Sequence, residues 1–167
     1  SVRANFSINT YSLTITAVNG SVSKDPDKAS YEHGESVELT AKADTGYSFV
    51  NWTGDASGSA NPVTVTMDSD KSVTAAFSIN TYSLTVSAAN GSVALEPAGG
   101  VYDYGTVVTL TATPDTGYSF TGWSGDLTGS ANPATITMDS DKSVRANFSI
   151  NTYSLTITAV NGSVSKD

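Results

Sequence analysis

SVRANFSINTYSLTITAVNGSVSKD, residues 1–25, decides how this chain is read, because the same twenty-five letters return as residues 143–167. Inside it Tyr11, Leu13, Ile15 and Ala17 alternate with Ser12, Thr14 and Thr16, the period of two that marks a half-buried strand. Asn19-Gly20 follows, and then Ser21, Val22 and Ser23. Asn-Gly between alternating segments signals a type I′ turn, whose two central residues both need positive φ. The reading therefore predicts that the flanking strands pair as a hairpin.

Working outward, Tyr11, Tyr82 and Tyr153 recur at one constant spacing (82 − 11 = 153 − 82). Positions 1–71 laid on 72–142 agree at 45 of 71 places, whereas 143–167 laid on 1–25 agree throughout. The larger unit is thus a pair of unlike modules, one to each period. A fixed period of this kind is the signature of a tandem array in which each repeat is one folding unit. The expected organisation is a closing strand of a preceding repeat at 1–8, module one at 9–79, module two at 80–150 and the opening hairpin of a following repeat at 151–167, so that the chain reads as a section of a longer array.

The alternation continues through Val37, Leu39 and Ala41, then Tyr47 and Phe49, then Val63, Val65 and Met67, and lastly Val73, Ala75 and Phe77. Trp52 falls one residue out of phase with Phe49, which predicts a β-bulge or strand end near Val50-Asn51. Asp44-Thr45-Gly46 is read as a turn, residues 54–62 as a loop of small residues, and the segment around Lys24–Ser30 as a variable loop. No stretch shows helical spacing over ten residues, so each module is expected to be all-β with about six strands. A module of this size buries only about 60% of the surface its unfolded chain exposes. With no cysteine available, packing alone must hold it.

A net charge of −8 with only eight basic residues leaves no clustered Lys and Arg to neutralise phosphates, so nucleic acid is excluded as a partner. No apolar run approaches the roughly 18 residues needed to cross a bilayer as a helix, and no membrane insertion is expected. A repetitive, Ser/Thr/Gly/Asn-rich composition points to an extracellular or cell-surface protein.

YSLTVSAANGSV, YDYGTVVTLTATPDTGYSFTGWSGD and NPATITMDSDKSVRANF, all from module two, together resemble the divergent version of the internalin B-repeat, the Listeria–Bacteroides repeat of large bacterial surface and secreted proteins. The resemblance covers the whole chain and is carried most specifically by the Gly-Tyr-x-Phe-x-x-Trp-x-Gly-Asp runs, 46–55 and 117–126. It implies a small β-rich domain related to the β-grasp fold, acting as stalk, spacer or adhesive segment, with no shared catalytic site. The chain departs from that pattern in lacking a helix, which leaves either a helix-less β-grasp-like sheet or a small sandwich.

Among candidate site residues, Tyr47, Phe49, Trp52 and Phe77, with Tyr118, Phe120, Trp123 and Phe148, are read as structural core in preference to a sugar-stacking platform, since a module has few other large side chains. Asp68 with Asp70, and Asp139 with Asp141, form D-x-D pairs that make calcium the one candidate metal, a hard cation wanting six to eight oxygens. Lys71 and Lys142 oppose that reading, and Asp and Ser favour turns on backbone grounds alone. His33 has Tyr104 as its counterpart, so no shared general base exists. No catalytic constellation or cofactor motif is present, and no enzyme is expected.

The resulting expectation is a non-catalytic structural array forming an extracellular fibre, stalk or spacer of a bacterial surface or secreted protein. Its partners are neighbouring copies of the repeat. The alternative is an adhesin module recognising carbohydrate or a host surface protein through its loops. Only Ser78 to Thr81 separates the last expected strand of module one from the first of module two, and so short a linker predicts a stiff rod. Small-angle scattering on chains of one, two and four two-module blocks is expected to give a maximum dimension that grows in proportion to block number. Growth closer to the square root of block number would indicate flexibly joined beads.

Overall fold

The computed structural model describes residues 2–158 and 160–162. Contacts divide the chain into two units, the first built on residues up to Thr81 together with Asp103–Gly105 and the second on Tyr82–Tyr102 and the residues from Thr106. The first contains β1 (Thr10–Tyr11), β2 (Leu13–Ala17), β3 (Gly20–Asp25), β4 (Tyr31–Glu32), β5 (Glu35–Ala43), β6 (Tyr47–Gly54), β7 (Val63–Met67) and β8 (Lys71–Ile79). The second is built from β9 (Thr81–Ala88), β10 (Gly91–Glu96), β11 (Val101–Asp103), β12 (Val107–Pro114), β13 (Tyr118–Gly125), β14 (Ala134–Thr137) and β15 (Lys142–Ile150). No helix occurs among the described residues.

In the second unit one sheet runs β11-β9-β15-β13 and the other β10-β12-β14. Successive strands therefore alternate between sheets, and no strand pairs with the one that follows it. The first unit repeats the plan: β2-β8-β6 and β3-β5-β7 form the two sheets, and β1, divided from β2 at Ser12, pairs with β4. Each unit is thus a small sandwich. In one sheet of each unit an opening strand and the last strand lie side by side and parallel, Leu13 to Ala17 on Lys71 to Ala75 and Leu84 to Ala88 on Lys142 to Ala146. The short strands around Tyr31 and Tyr102 raise the count to seven in the second module and, with the opening strand divided at Ser12, to eight in the first, against the about six that the periodicity shows.

The expected hairpin at Asn19-Gly20 is not formed. Asn19 alone is left-handed, at φ 65°, and Gly20 already belongs to β3, where it pairs with Ala43 of β5. The dipeptide is a corner that carries the chain from one sheet to the other. Its glycine is required by packing, since a Cβ on Gly20 would lie 2.5 Å from Phe77 Cζ and 2.7 Å from the Lys42 carbonyl oxygen. Gly91 stands in the same relation to Phe148 and Thr113.

Alternation places one face of every strand inward. Val37, Leu39, Met67 and Val73 at the centre of the first sandwich, and Val108, Leu110, Met138 and Val144 at the centre of the second, are at most 1% exposed. The anticipated bulge is present: the β6–β8 register shifts between Phe49 and Asn51, and the β13–β15 register between Phe120 and Gly122. That shift lets aromatic residues three apart share the core face, with Phe49 and Trp52 ring centroids 5.1 Å apart.

Identical sequence takes two states here. Val144, Ala146 and Phe148 belong to β15 and pack in the core, whereas Val2 and Phe6, in the same sequence, stand almost wholly exposed and residues 2–8 form no strand. Tyr11, Leu13 and Ile15 pack against the first core, while their copies Tyr153, Leu155 and Ile157 are exposed and outside any strand. The part of the expected opening hairpin of a following repeat that falls on Ala159 and 163–167 lies outside the described residues. Strand formation in this chain follows from available partners rather than from local propensity.

These packing distances predict that Gly20→Ala and Gly91→Ala each destabilise their own unit by about 1–3 kcal/mol through overpacking. Gly162→Ala, with nothing within 4 Å of the added methyl, is expected to be silent. Urea unfolding of the three variants checks this.

Candidate functional site

Of the residues that motifs single out, Trp52, Asp55 and Asp70 hold backbone. Trp52 follows the bulge in β6, and its indole is 1% exposed. Its Nε1 donates to the Ala60 carbonyl at 2.8 Å, and its backbone N donates to the Gly58 carbonyl at 2.8 Å. The loop of small residues therefore folds over the indole and closes it to any ligand. Trp123 makes the same bonds to Ala131 and Gly129. Phe49 and Phe77, and likewise Phe120 and Phe148, meet edge to face with centroids 5.8 Å apart and are partly buried against the core. Tyr47 and Tyr118 are half-buried at the start of their strands.

Two residues beyond the tryptophan, the Gly-Asp pair is a clasp on the closing strand. Asp55 Oδ2 accepts from Ser72 N at 2.7 Å while Asp55 N donates to the Ser72 carbonyl at 2.9 Å. Gly54, at φ +90°, admits this approach because a Cβ would sit 2.3 Å from the Ser72 oxygen. Asp126 and Gly125 repeat the clasp on Ser143.

The D-x-D carboxylates diverge. Asp70 Oδ1 accepts from Ser12 N at 2.7 Å and from Ser12 Oγ at 2.9 Å, whereas Asp68 Oδ1 pairs with Lys71 Nζ at 2.6 Å. Asp141 and Asp139 do the same with Ser83 and Lys142. Among the described residues no three His, Cys, Asp or Glu side chains come together as a metal cage would require. The bond from Asp70 to Ser12 joins opposite ends of the module and falls where β1 gives way to β2, so it fixes the first strand beside the start of the last. Hydrogen bonds from Ser12 hold the Asp70 carboxyl below the usual aspartate range, and the Lys71 ammonium does the same for Asp68.

Some functional residues escape sequence reading. Asn61 extends the β5–β7 ladder with its side chain: its Oδ1 accepts from Ala41 N and its Nδ2 donates to the Ala41 carbonyl, both at 2.8 Å. Asn132 does this for Ala112. Tyr31 and Tyr102 close one end of the core, as their place in the sequence suggests; what the sequence does not show is that Tyr31 donates its hydroxyl to the Pro26 carbonyl at 2.9 Å and Tyr102 to that of Pro97. The available signal for all of them is the recurrence of both partners at one period. His33 packs edge-on to Tyr11, ring centroids 5.9 Å apart. No ligand-sized cavity opens in either unit among the described residues.

Two successive small sandwiches, each tied by the same backbone-holding side chains, define a tandem all-β repeat protein. The family model for the divergent InlB B-repeat domain matches residues 11–81 and 82–152, two spans of equal length that together cover most of the chain, and the chain belongs to that family. Modules of this family are repeat domains of bacterial surface proteins. No curated protein and no solved structure matches the chain.

The aspartate bonds predict an acid limb in stability. Because the folded pKa values of Asp70 and Asp141 are lowered, their contribution is fully present above the ordinary aspartate pKa, about 3.9. It is lost as pH falls through the lower folded values. Asp70→Asn and Asp141→Asn are expected to flatten the decline in unfolding midpoint below about pH 4. Urea titrations at neutral pH and in that acid range, on wild type and both variants, provide the check.

Proposed function

We propose that these modules are a non-catalytic structural array, an extracellular spacer or stalk that carries other parts of a bacterial surface or secreted protein away from their anchor. One observation carries this reading: both units engage the same set of polar side chains in the same scaffold bonds. Asp70 and Asp141 hold Ser12 and Ser83, Asp55 and Asp126 clasp Ser72 and Ser143, Asn61 and Asn132 extend a strand, and both indoles are capped by a loop carbonyl. Catalysis needs a nucleophile or a proton-transfer pair free to meet substrate; here Asp55, Asp70 and Asn61, with Asp126, Asp141 and Asn132, are engaged with backbone. Calcium has no role in this reading, because the D-x-D carboxylates act as hydrogen-bond acceptors and ion-pair partners.

A spacer is defined by its length, and this gives the test. In the bacterium, these modules would be replaced by an unrelated rigid repeat of equal length, and surface presentation of the distal part and adherence to host cells would be measured. Both are expected to persist. Loss of adherence with presentation intact, together with saturable binding of the purified modules to host cells or to a defined glycan, would overturn the spacer reading in favour of an adhesin.

A further inference from the structure

The two modules share most of their positions, yet they differ as a matched pair at the bulge. Asn51 of β6 stands opposite Ala76 of β8, whereas Gly122 of β13 stands opposite Asn147 of β15. A large residue faces a small one in both, with the roles exchanged. In the second unit Asn147 Nδ2 donates to the Gly122 carbonyl at 3.2 Å and to Ser124 Oγ at 3.0 Å, and Thr121 Oγ1 donates to the Asn147 carbonyl at 3.0 Å. Gly122 is buried at φ +148°, and a Cβ there would lie 2.9 Å from the Gly129 carbonyl oxygen. That backbone accepts an asparagine from across the sheet but no side chain of its own. In the first unit the asparagine of the pair, Asn51, belongs to β6, and the closing strand contributes only the methyl group of Ala76.

We infer that this exchanged pair is a matching device that assigns each closing strand to its own module. The device is needed because the closing strands are otherwise close to interchangeable: SVTAAFSI at 72–79 and SVRANFSI at 143–150 differ only at Thr74/Arg145 and Ala76/Asn147. The chain also carries the second type again at 1–8, with Asn5 at the matching position. A closing strand enters the middle of a sheet, and tandem repeats are prone to intermodule misassembly during folding. Docking β15 into the first module sets Asn147 against Asn51, two amides where the bulge holds one. Docking β8 into the second sets Ala76 against Gly122 and leaves Gly122 and Ser124 without the Asn147 amide. Mismatch is disfavoured both ways, the logic of specificity by repulsion as well as attraction. This inference concerns how the array folds and does not depend on whether the array serves as spacer or adhesin.

The test is a cycle in the first module with Asn51→Gly, Ala76→Asn and the double variant. The indole Nε1–H signals of Trp52 and Trp123 report each unit separately through urea titration. Ala76→Asn alone is expected to lower the folding constant of the first unit. The double variant, which recreates the second module's pair, is expected to recover it, with a coupling between about twofold and a hundredfold. Misdocking is read directly by refolding Thr16→Cys/Arg145→Cys under oxidising conditions. Thr16 pairs in register with Thr74, whose counterpart is Arg145, so the two introduced thiols meet when β15 occupies the first module. Asn51→Gly in that background is expected to raise the fraction carrying this disulfide severalfold. Additive effects in the cycle, or a disulfide yield unchanged by Asn51→Gly, would overturn the inference.

Discussion

Everything in each module rests on a parallel strand pair formed by its two ends. The last strand, β8 or β15, lies between the first strand on one side and β6 or β13 on the other, so the sheet has no centre until the final residues arrive. A parallel pair cannot be joined by a tight turn and requires a long crossover. Here the crossover is the whole of the module. The second sheet, the bulge and the capped tryptophan are all contained within that connection. The side-chain bonds gather at the same place, since Asp70 ties the first strand to the start of the last and Asp55 clasps the last strand from its other side.

This constraint explains how one sequence can be both strand and non-strand. Residues 143–150 are β15 because β9 and β13 flank them; residues 2–8 have the same letters and no such neighbours. Hydrogen bonds along a strand replace bonds to water, so each adds little in net terms. Burial of alternate side chains between two sheets supplies the rest. Without both, the ordering entropy of the backbone prevails. The unit of stability is therefore the single repeat module, which is also the unit matched by the divergent InlB B-repeat family.

Much of this was legible in the sequence. The period, the all-β class, the inward positions of Val37, Leu39 and Val73, and the bulge beside Trp52 all follow from alternation and its one break in phase. The partner of each strand was not legible, because alternation names a strand's inner face and says nothing of its neighbour. Asn19-Gly20 shows the limit: left-handed Asn followed by Gly suits a hairpin and a sheet-crossing corner equally, and the corner prevails because Phe77, from the far end of the module, packs over Gly20. The D-x-D pairs were ambiguous for a related reason. Whether two aspartates converge on a cation or separate to hold Ser12 and Lys71 depends on where residues far along the chain lie.

Amide hydrogen exchange on this chain tests the central claim most directly, because it compares identical sequences in the two settings within one molecule. If long-range pairing makes the strand, amides of Val144 to Ile150 should be protected nearly as strongly as the core of β12, exchanging through global opening of their module. Amides of Val2 to Ile8 should exchange at the rate of unstructured peptide. Equal protection of the two copies, or exchange of β15 far ahead of β12, would contradict the account.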